Sequence, residues 1–417
     1  MRSELLGASR GAPRRRWLRL FGVLVACSTF VSASVISTRA AAGAAATCGP
    51  SFTVATSPLV NAHVSWLNGV AAVTDNNVWA VGAEEPTGQN NQRTLIEHWN
   101  GTAWSVQPSG NEGGSTTINE LSAIAAISAT NIWAVGDHGN PAPETRRPLI
   151  EHWTGSAWHI VPNPDLGVGE HFLTGVAAIS ASDVWAVGYS AIDSGEVDVP
   201  IAEHWNGTAW SAVSVPAPGT GQFGPGSTLQ SVSGSTGSDV WAVGVEDPVG
   251  SGARPLVEHW NGKVWSIMAT PIVVTTWENE YLEGVTSKAS NDVWVVGSQS
   301  YDGLSDFATL VEHWNGTAWS VVPSADPTGS SYDLLNAVSE VSATDVWAVG
   351  EDDLTGALGT LVEHWNGTTW TVIPSPNPST WSQLSGVAAL PHSFVWTAGL
   401  YIPPAANWNS LIEQECG

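Results

Sequence analysis

From about residue 48 onward the chain is built of short stretches in which apolar and polar residues alternate, separated by clusters of Gly, Pro, Asn and Ser. Alternation of this kind sends successive side chains to opposite faces and predicts half-buried β-strands. Leu335 to Val341, Asp345 to Gly350, Thr360 to Trp365 and Thr369 to Pro374 make one set of four such strands. Ser342-Ala343-Thr344 joins the first two, and Asn366-Gly367 joins the last two. Asn-Gly suits a tight hairpin because both residues accept positive φ. The set then recurs. A VWAVG-like segment carries Trp79, Trp133, Trp185, Trp241, Trp294, Trp347 and Trp396, at intervals of 54, 52, 56, 53, 53 and 49 residues. An EHWNGTAW-like segment carries Glu97, Glu151, Glu203, Glu258, Glu312, Glu363 and Glu413. A period in this range marks a repeat architecture, and four-stranded antiparallel units repeated radially make a β-propeller.

The seventh unit stops at Cys416 and Gly417, before its second tryptophan. Ser51 to Pro58 match the ends of other units, such as Trp319 to Ser324, with Phe52 in the tryptophan position. The expectation is therefore one all-β domain, residues 47–417: a seven-bladed propeller with four antiparallel strands per blade, its last blade completed by the N-terminal strand. The same alignment places Cys48 and Cys416 both on the Asn100 position, the turn between a blade's last two strands. In an oxidising compartment the pair is expected to form a disulfide that clasps the ring. Two free thiols side by side are the alternative.

Recurrence separates frame from function. Nineteen of the 24 tryptophans occupy three repeated positions, and six of the 11 histidines follow the repeated glutamate. Adjacent strand residues point to opposite faces, so a Glu-His pair does not converge on one atom. Catalysis has no use for six identical copies, and these residues are read as packing and hydrogen bonding between blades.

The N-terminus changes the charge picture. Arg14, Arg15, Arg16 and Arg19 precede an apolar stretch from Leu20 to Ile36, and Ala44-Ala45-Ala46 precedes Thr47. Residues 1–46 thus read as a bacterial signal peptide cleaved after Ala46. Arg15-Arg16 allows a twin-arginine route, and Leu24 to Cys27 allows a lipobox that would attach the chain to a membrane at Cys27. The remainder keeps 6 basic against 37 acidic residues. Nucleic acid is excluded as a partner, because phosphate affinity needs clustered Lys and Arg. An extracellular or cell-surface monomer is expected. No cofactor is expected. Calcium, at Asp302 and Asp306 or at Glu351, Asp352 and Asp353, is the one cation the acidic loops suit, although none has EF-hand spacing.

A glycine-ended second strand, an acidic third strand, a tight turn and a fourth-strand tryptophan resemble the kelch repeat of galactose-oxidase-like propellers. The units are also similar to tryptophan-rich repeats in proteins exported by high-GC bacteria. The resemblance covers residues 48–417 and implies a ring closed by a strand from one terminus. Where kelch has a glycine pair, this chain has single glycines at 82, 136, 188, 244, 297, 350 and 399. The copper-radical oxidases of that superfamily need a tyrosine cross-linked to a cysteine. With Cys48 and Cys416 both at the ring closure, that activity is excluded.

Variation concentrates in the second-to-third-strand loops and the inter-blade links, which antiparallel order places on one face. Variable loops on a rigid scaffold are where binding residues sit. Arg93, Arg147 and Arg254 share one register there and would clamp a carboxylate or sulfate. Off-repeat aromatic residues on or near the same face include Trp66, Trp277, Trp381, Trp408, Phe172, Tyr301 and Tyr401, suited to a sugar face or a protein hot spot. The first reading is an exported non-catalytic module recognising a glycan or protein partner. The alternative is a polysaccharide lyase using His171 or Tyr281, or a glycosidase using Glu280 and Glu283. A surface scaffold without a small-molecule site is the third.

Overall fold

The computed structural model describes residues 51–58, 64–86, 91–113, 117–141, 144–192, 197–218, 226–248, 252–271, 279–300, 306–325, 332–353, 357–391, 394–403 and 407–415. The expectations for residues 1–46, Cys27, Cys48, Cys416, Trp277, Tyr301 and Asp302 lie outside them. The described residues form seven four-stranded antiparallel sheets and no helix. Blade one is Val64–Thr74, Asn77–Glu85, Arg93–Trp99 and Trp104–Val106, paired in chain order. Each blade's first strand packs on the first strand of the next, and Ser382–Leu390 of blade seven packs on Val64–Thr74, closing the circle.

Blade seven runs Ser382–Leu390, Phe394–Tyr401, Asn409–Glu415 and then Phe52–Val54. Phe52 pairs with Glu415, Thr53 with Gln414 and Val54 with Glu413. Blade one shows the same register, with Trp104 opposite Trp99 and Val106 opposite Glu97. The N-terminal strand is thus the outer strand of the last blade. The outer strands are shorter than the alternation suggests: in blade six only Trp370–Val372 pairs, against a predicted Thr369 to Pro374. Proline follows at 108, 162, 323 and 374 and cannot donate to a ladder.

Tryptophan and histidine build the blade interfaces. His98 stacks on Trp79 at 4.0 Å, and Trp153 and Trp158 of the next blade meet the same indole at 4.8 and 5.6 Å. The same group recurs around Trp133, Trp185, Trp241 and Trp294. In five blades a residue two places before the tryptophan holds the cluster in register, and in blade two Asn131 bonds His152 alone. Asp183 Oδ1 accepts from Trp185 Nε1 (3.1 Å) and from His204 Nε2 (2.8 Å). Asn77, Asp239, Asp292 and Asp345 do the same in their blades. Blade seven has Phe394 and Gln414 at these two positions, and Trp396 Nε1 is buried without a partner.

The single glycine of strand two has a steric cause. Each first strand bulges just after its recurrent leucine, as between Leu67 and Gly69. A Cβ at Gly82, Gly136, Gly188, Gly244, Gly297, Gly350 or Gly399 would overlap the carbonyl oxygen of the residue before that leucine. Nearer the axis, polar side chains tie blades together: Asn68 Nδ2 donates to Leu121 O, Thr174 Oγ1 to Leu229 O and Asn336 Nδ2 to Leu384 O, at 2.7 to 2.9 Å.

Candidate functional site

Recurrence ends sharply. The leucine of strand one and the glycine of strand two pair directly, as Leu67 with Gly82. One residue further toward the variable face, the seven first-strand positions are Trp66, Glu120, Phe172, Thr228, Tyr281, Leu334 and Gln383. No two are alike, and they open the face where sequence variation concentrates.

At the junction of blades seven and one, three tryptophans meet. Trp66 is 1% exposed and packs edge-on against Trp408 at 5.9 Å, which packs edge-on against Trp381 at 6.4 Å. Trp408 and Trp381 are half-buried. Trp66 Nε1 and Asn68 Nδ2 both donate to Glu120 Oε1, at 3.0 and 2.9 Å, which fixes the buried end of the run. Backbone bonds fix the other end: Ser65 N donates to Trp408 O and Ile402 N to Trp381 O. Trp381 Nε1 is buried and has no partner.

Blades two and three carry a charged cluster. Arg146 pairs with the buried Asp137 and lies 6.0 Å from the Phe172 ring centre, and Phe172 stacks on Tyr189 at 4.9 Å. Burial pushes Asp137 up to about 7, Arg146 pulls it down, and Glu120 and Glu170 push it up again. Arg147 Nη1 donates to Gly169 O (2.6 Å) and to Arg146 O (2.9 Å), so it ties the blade-two hairpin to blade three. Arg93 and Arg254 are exposed and sit opposite Glu84 and Glu246 in their ladders. The three arginines share a register in blades one, two and four.

His171 and Glu280 are both buried. They sit two residues before the recurrent leucine, where all seven side chains are polar and buried: Ser65, Asn119, His171, Ser227, Glu280, Asp333 and Ser382. In five of these, Ser65, Asn119, Glu280, Asp333 and Ser382, the backbone N–H donates to a carbonyl near the start of the preceding blade's third strand. His171 contacts Ser190 Oγ through Nδ1 (2.7 Å) and Gly167 O through Nε2 (3.3 Å). Burial holds it below its ordinary range, opposed by the Gly167 bond. Tyr281 and Glu283 are half-buried. A bulge between Leu282 and Gly284 interrupts the strand alternation at Glu283. Tyr281 joins Phe307 and Tyr332 in a second aromatic run, at 6.4 and 5.3 Å, that the sequence reading missed.

Among the described residues no group of three or more His, Cys, Asp or Glu is arranged to hold a metal. Glu351 and Asp352 are buried, Asp306 is exposed, and burial pushes Glu351 up to about 7. No described helix is long and apolar enough to cross a membrane.

The fold makes the chain a seven-bladed β-propeller. No family model matches it, and no curated protein matches it in sequence. The kelch resemblance therefore stands at the level of the propeller. Among solved structures, YCF48 bound to a D1 peptide is similar at 13% identity, covering 87% of this chain and 98% of that one, with a TM-score of 0.50. A polysaccharide lyase of family PL25, an ulvan lyase bound to -[GlcA(1-4)Rha3S]-, is similar at 11% identity over 84% and 94%, TM-score 0.51. A protein of unknown function from Dyadobacter fermentans is similar at 10% identity over 87% and 97%, TM-score 0.51. These likenesses carry the fold alone.

Proposed function

We propose that the chain is an exported recognition module that binds a glycan or protein partner through its variable face, without catalysis. The observation that carries this reading is the tryptophan run Trp66, Trp408 and Trp381. It is anchored at its buried end by Glu120 and half-exposed at the other, with an indole N–H that has no protein partner. Aromatic area beside fixed polar groups is what sugar faces and protein hot spots engage. Calcium is not needed for this reading, and the ring works as a monomer. A lyase would call on His171, whose two ring nitrogens contact Ser190 and Gly167, and a glycosidase on Glu283 together with the buried Glu280. Neither requirement falls on the recognition reading. One of the similar structures holds a peptide and another a sugar chain, so the fold accommodates both partner classes.

The reading includes export by residues 1–46 and a Cys48–Cys416 disulfide. The observed register supports the latter, since the bond would stand where the other six blades have a covalent turn. A panel of neutral and acidic polysaccharides and of extracellular protein extracts, passed over immobilised residues 47–417 and read for retention and for product release, tests the function. Retention without product, lost in Trp381→Ala, is expected. Product release would establish the enzymatic alternative, and neither retention nor release would leave the scaffold reading.

A further inference from the structure

The repeated glutamate of the third strand is 0% exposed in all seven blades. It faces the preceding blade, at the link that follows that blade's outer strand. Glu151 Oε2 accepts from Gly110 N and Glu363 Oε2 from Ala325 N, both at 3.2 Å. Gly110 and Ala325 each lie six residues after the outer-strand tryptophan, Trp104 and Trp319. The residues six after Trp158, Trp210, Trp265 and Trp370 are Pro164, Pro216, Pro271 and Pro376, which have no N–H. The glutamates that these prolines face are Glu203, Glu258, Glu312 and Glu413, and both carboxyl oxygens of each lack a protein partner. At the remaining interface Pro58 takes the position, and Ser57 Oγ supplies Glu97 with its donor at 2.9 Å. The correspondence holds at all seven interfaces. Nor does an outer-strand indole stand in: Trp210, Trp265 and Trp319 Nε1 are themselves buried without a partner.

A fully buried carboxylate with no donor and no counter-charge is far less stable than the neutral acid. We propose that Glu203, Glu258, Glu312 and Glu413 are carried as neutral acids in the folded ring, so that each of these four blade interfaces is a proton-binding site that empties when the ring opens. Burial is the whole cause of the upward push on Glu203, Glu258 and Glu413, each to about 8. Glu312 is pushed to the same value by burial first and then by Glu280, the one charged group acting on any of the four. Glu97 and Glu151 also stand at about 8 by burial, although Ser57, Ser410 and the Gly110 N–H pull them down.

The sign follows from linkage. These four glutamates hold protons in the folded ring that the unfolded chain has lost, so their contribution to stability is full below about pH 4.5 and falls as pH rises toward 8. This is the reverse of carboxylates stabilised by ion pairs. At these four interfaces acid favours the closed ring and alkali opposes it.

Calorimetric unfolding of residues 47–417 at pH 6.5, in two buffers of different ionisation enthalpy, counts the protons released. Wild type is expected to release at least about four, one from each of the four sites. Glu203→Gln/Glu258→Gln/Glu312→Gln/Glu413→Gln is expected to release about four fewer and to flatten the fall of Tm between pH 5 and 8. Should that variant not fold, the wild-type count decides alone. Release of one proton or none, or a quadruple variant with the wild-type count, would overturn the proposal in favour of ionised, hydrated carboxylates.

Discussion

Replacing Asp183 tests how the blade interfaces are held. Its Oδ1 accepts from Trp185 Nε1, whose indole is 1% exposed, and from His204 Nε2, whose side chain is 27% exposed. Asp183→Ala removes this acceptor and both bonds. The buried indole N–H then lacks a partner at a cost of about 1–3 kcal/mol, and the half-exposed histidine bond adds about 0.5–1.5 kcal/mol. A loss of about 1.5–4.5 kcal/mol follows. For a domain of about 370 residues the unfolding entropy is roughly 0.8 kcal/mol per kelvin, so Tm should fall by about 2–6 °C. Asp183→Asn keeps the acceptor, as Asn77 does in blade one with both bonds intact, and should stay within about 1 °C. The measurement is thermal unfolding at pH 7, followed by near-UV circular dichroism of the stacked tryptophans. An asparagine variant as unstable as the alanine variant would show that the carboxylate's charge, not its acceptor geometry, matters. An alanine variant indistinguishable from wild type would refute the reasoning altogether.

Gly350→Ala should cost about 3 kcal/mol, because its Cβ overlaps the Leu334 carbonyl oxygen. Gly167→Ala, with open space around it but φ near 88°, should cost only about 1–2 kcal/mol; equal denaturation midpoints for the two would argue against the steric account. Peptide mapping without reductant should recover a Cys48–Cys416 cross-link, and reduction should cost at most roughly 4 to 6 kcal/mol by loop-closure entropy. Free thiols on both would dismiss the clasp. Trp381→Ala should weaken retention of a bound partner at least tenfold while moving Tm little, and a variant that binds as well as wild type would remove the tryptophan run from the site.

Most of the fold could be read from the chain because the repeat states each element seven times. Register in the last blade followed from matching Phe52 with Trp104, and the structure pairs Phe52 with Glu415 just as Trp104 pairs with Trp99. The acceptors at 77, 131, 183, 239, 292 and 345 were missed although an Asn or Asp stands two places before the tryptophan in six of seven units. The signal was present, but its partner His lies about 20 residues away and only the strand ladder brings them together. The candidate face was harder. His171 and Glu280 differ in identity from their counterparts, yet all seven residues at this position are polar and buried, a recurrence that identity alone does not reveal. Contacts such as Trp66 with Trp408 join residues 342 positions apart, and no local pattern encodes them.

The pairing of Phe52 with Glu415 also orders events during synthesis. The first strand of the ring to leave the ribosome waits for a partner that comes only with the seventh blade's third strand. Until then Asn409–Glu415 and Phe52–Val54 each present an unpaired edge. A ring that lacks the seventh blade's third strand therefore keeps an open seam at both of its ends.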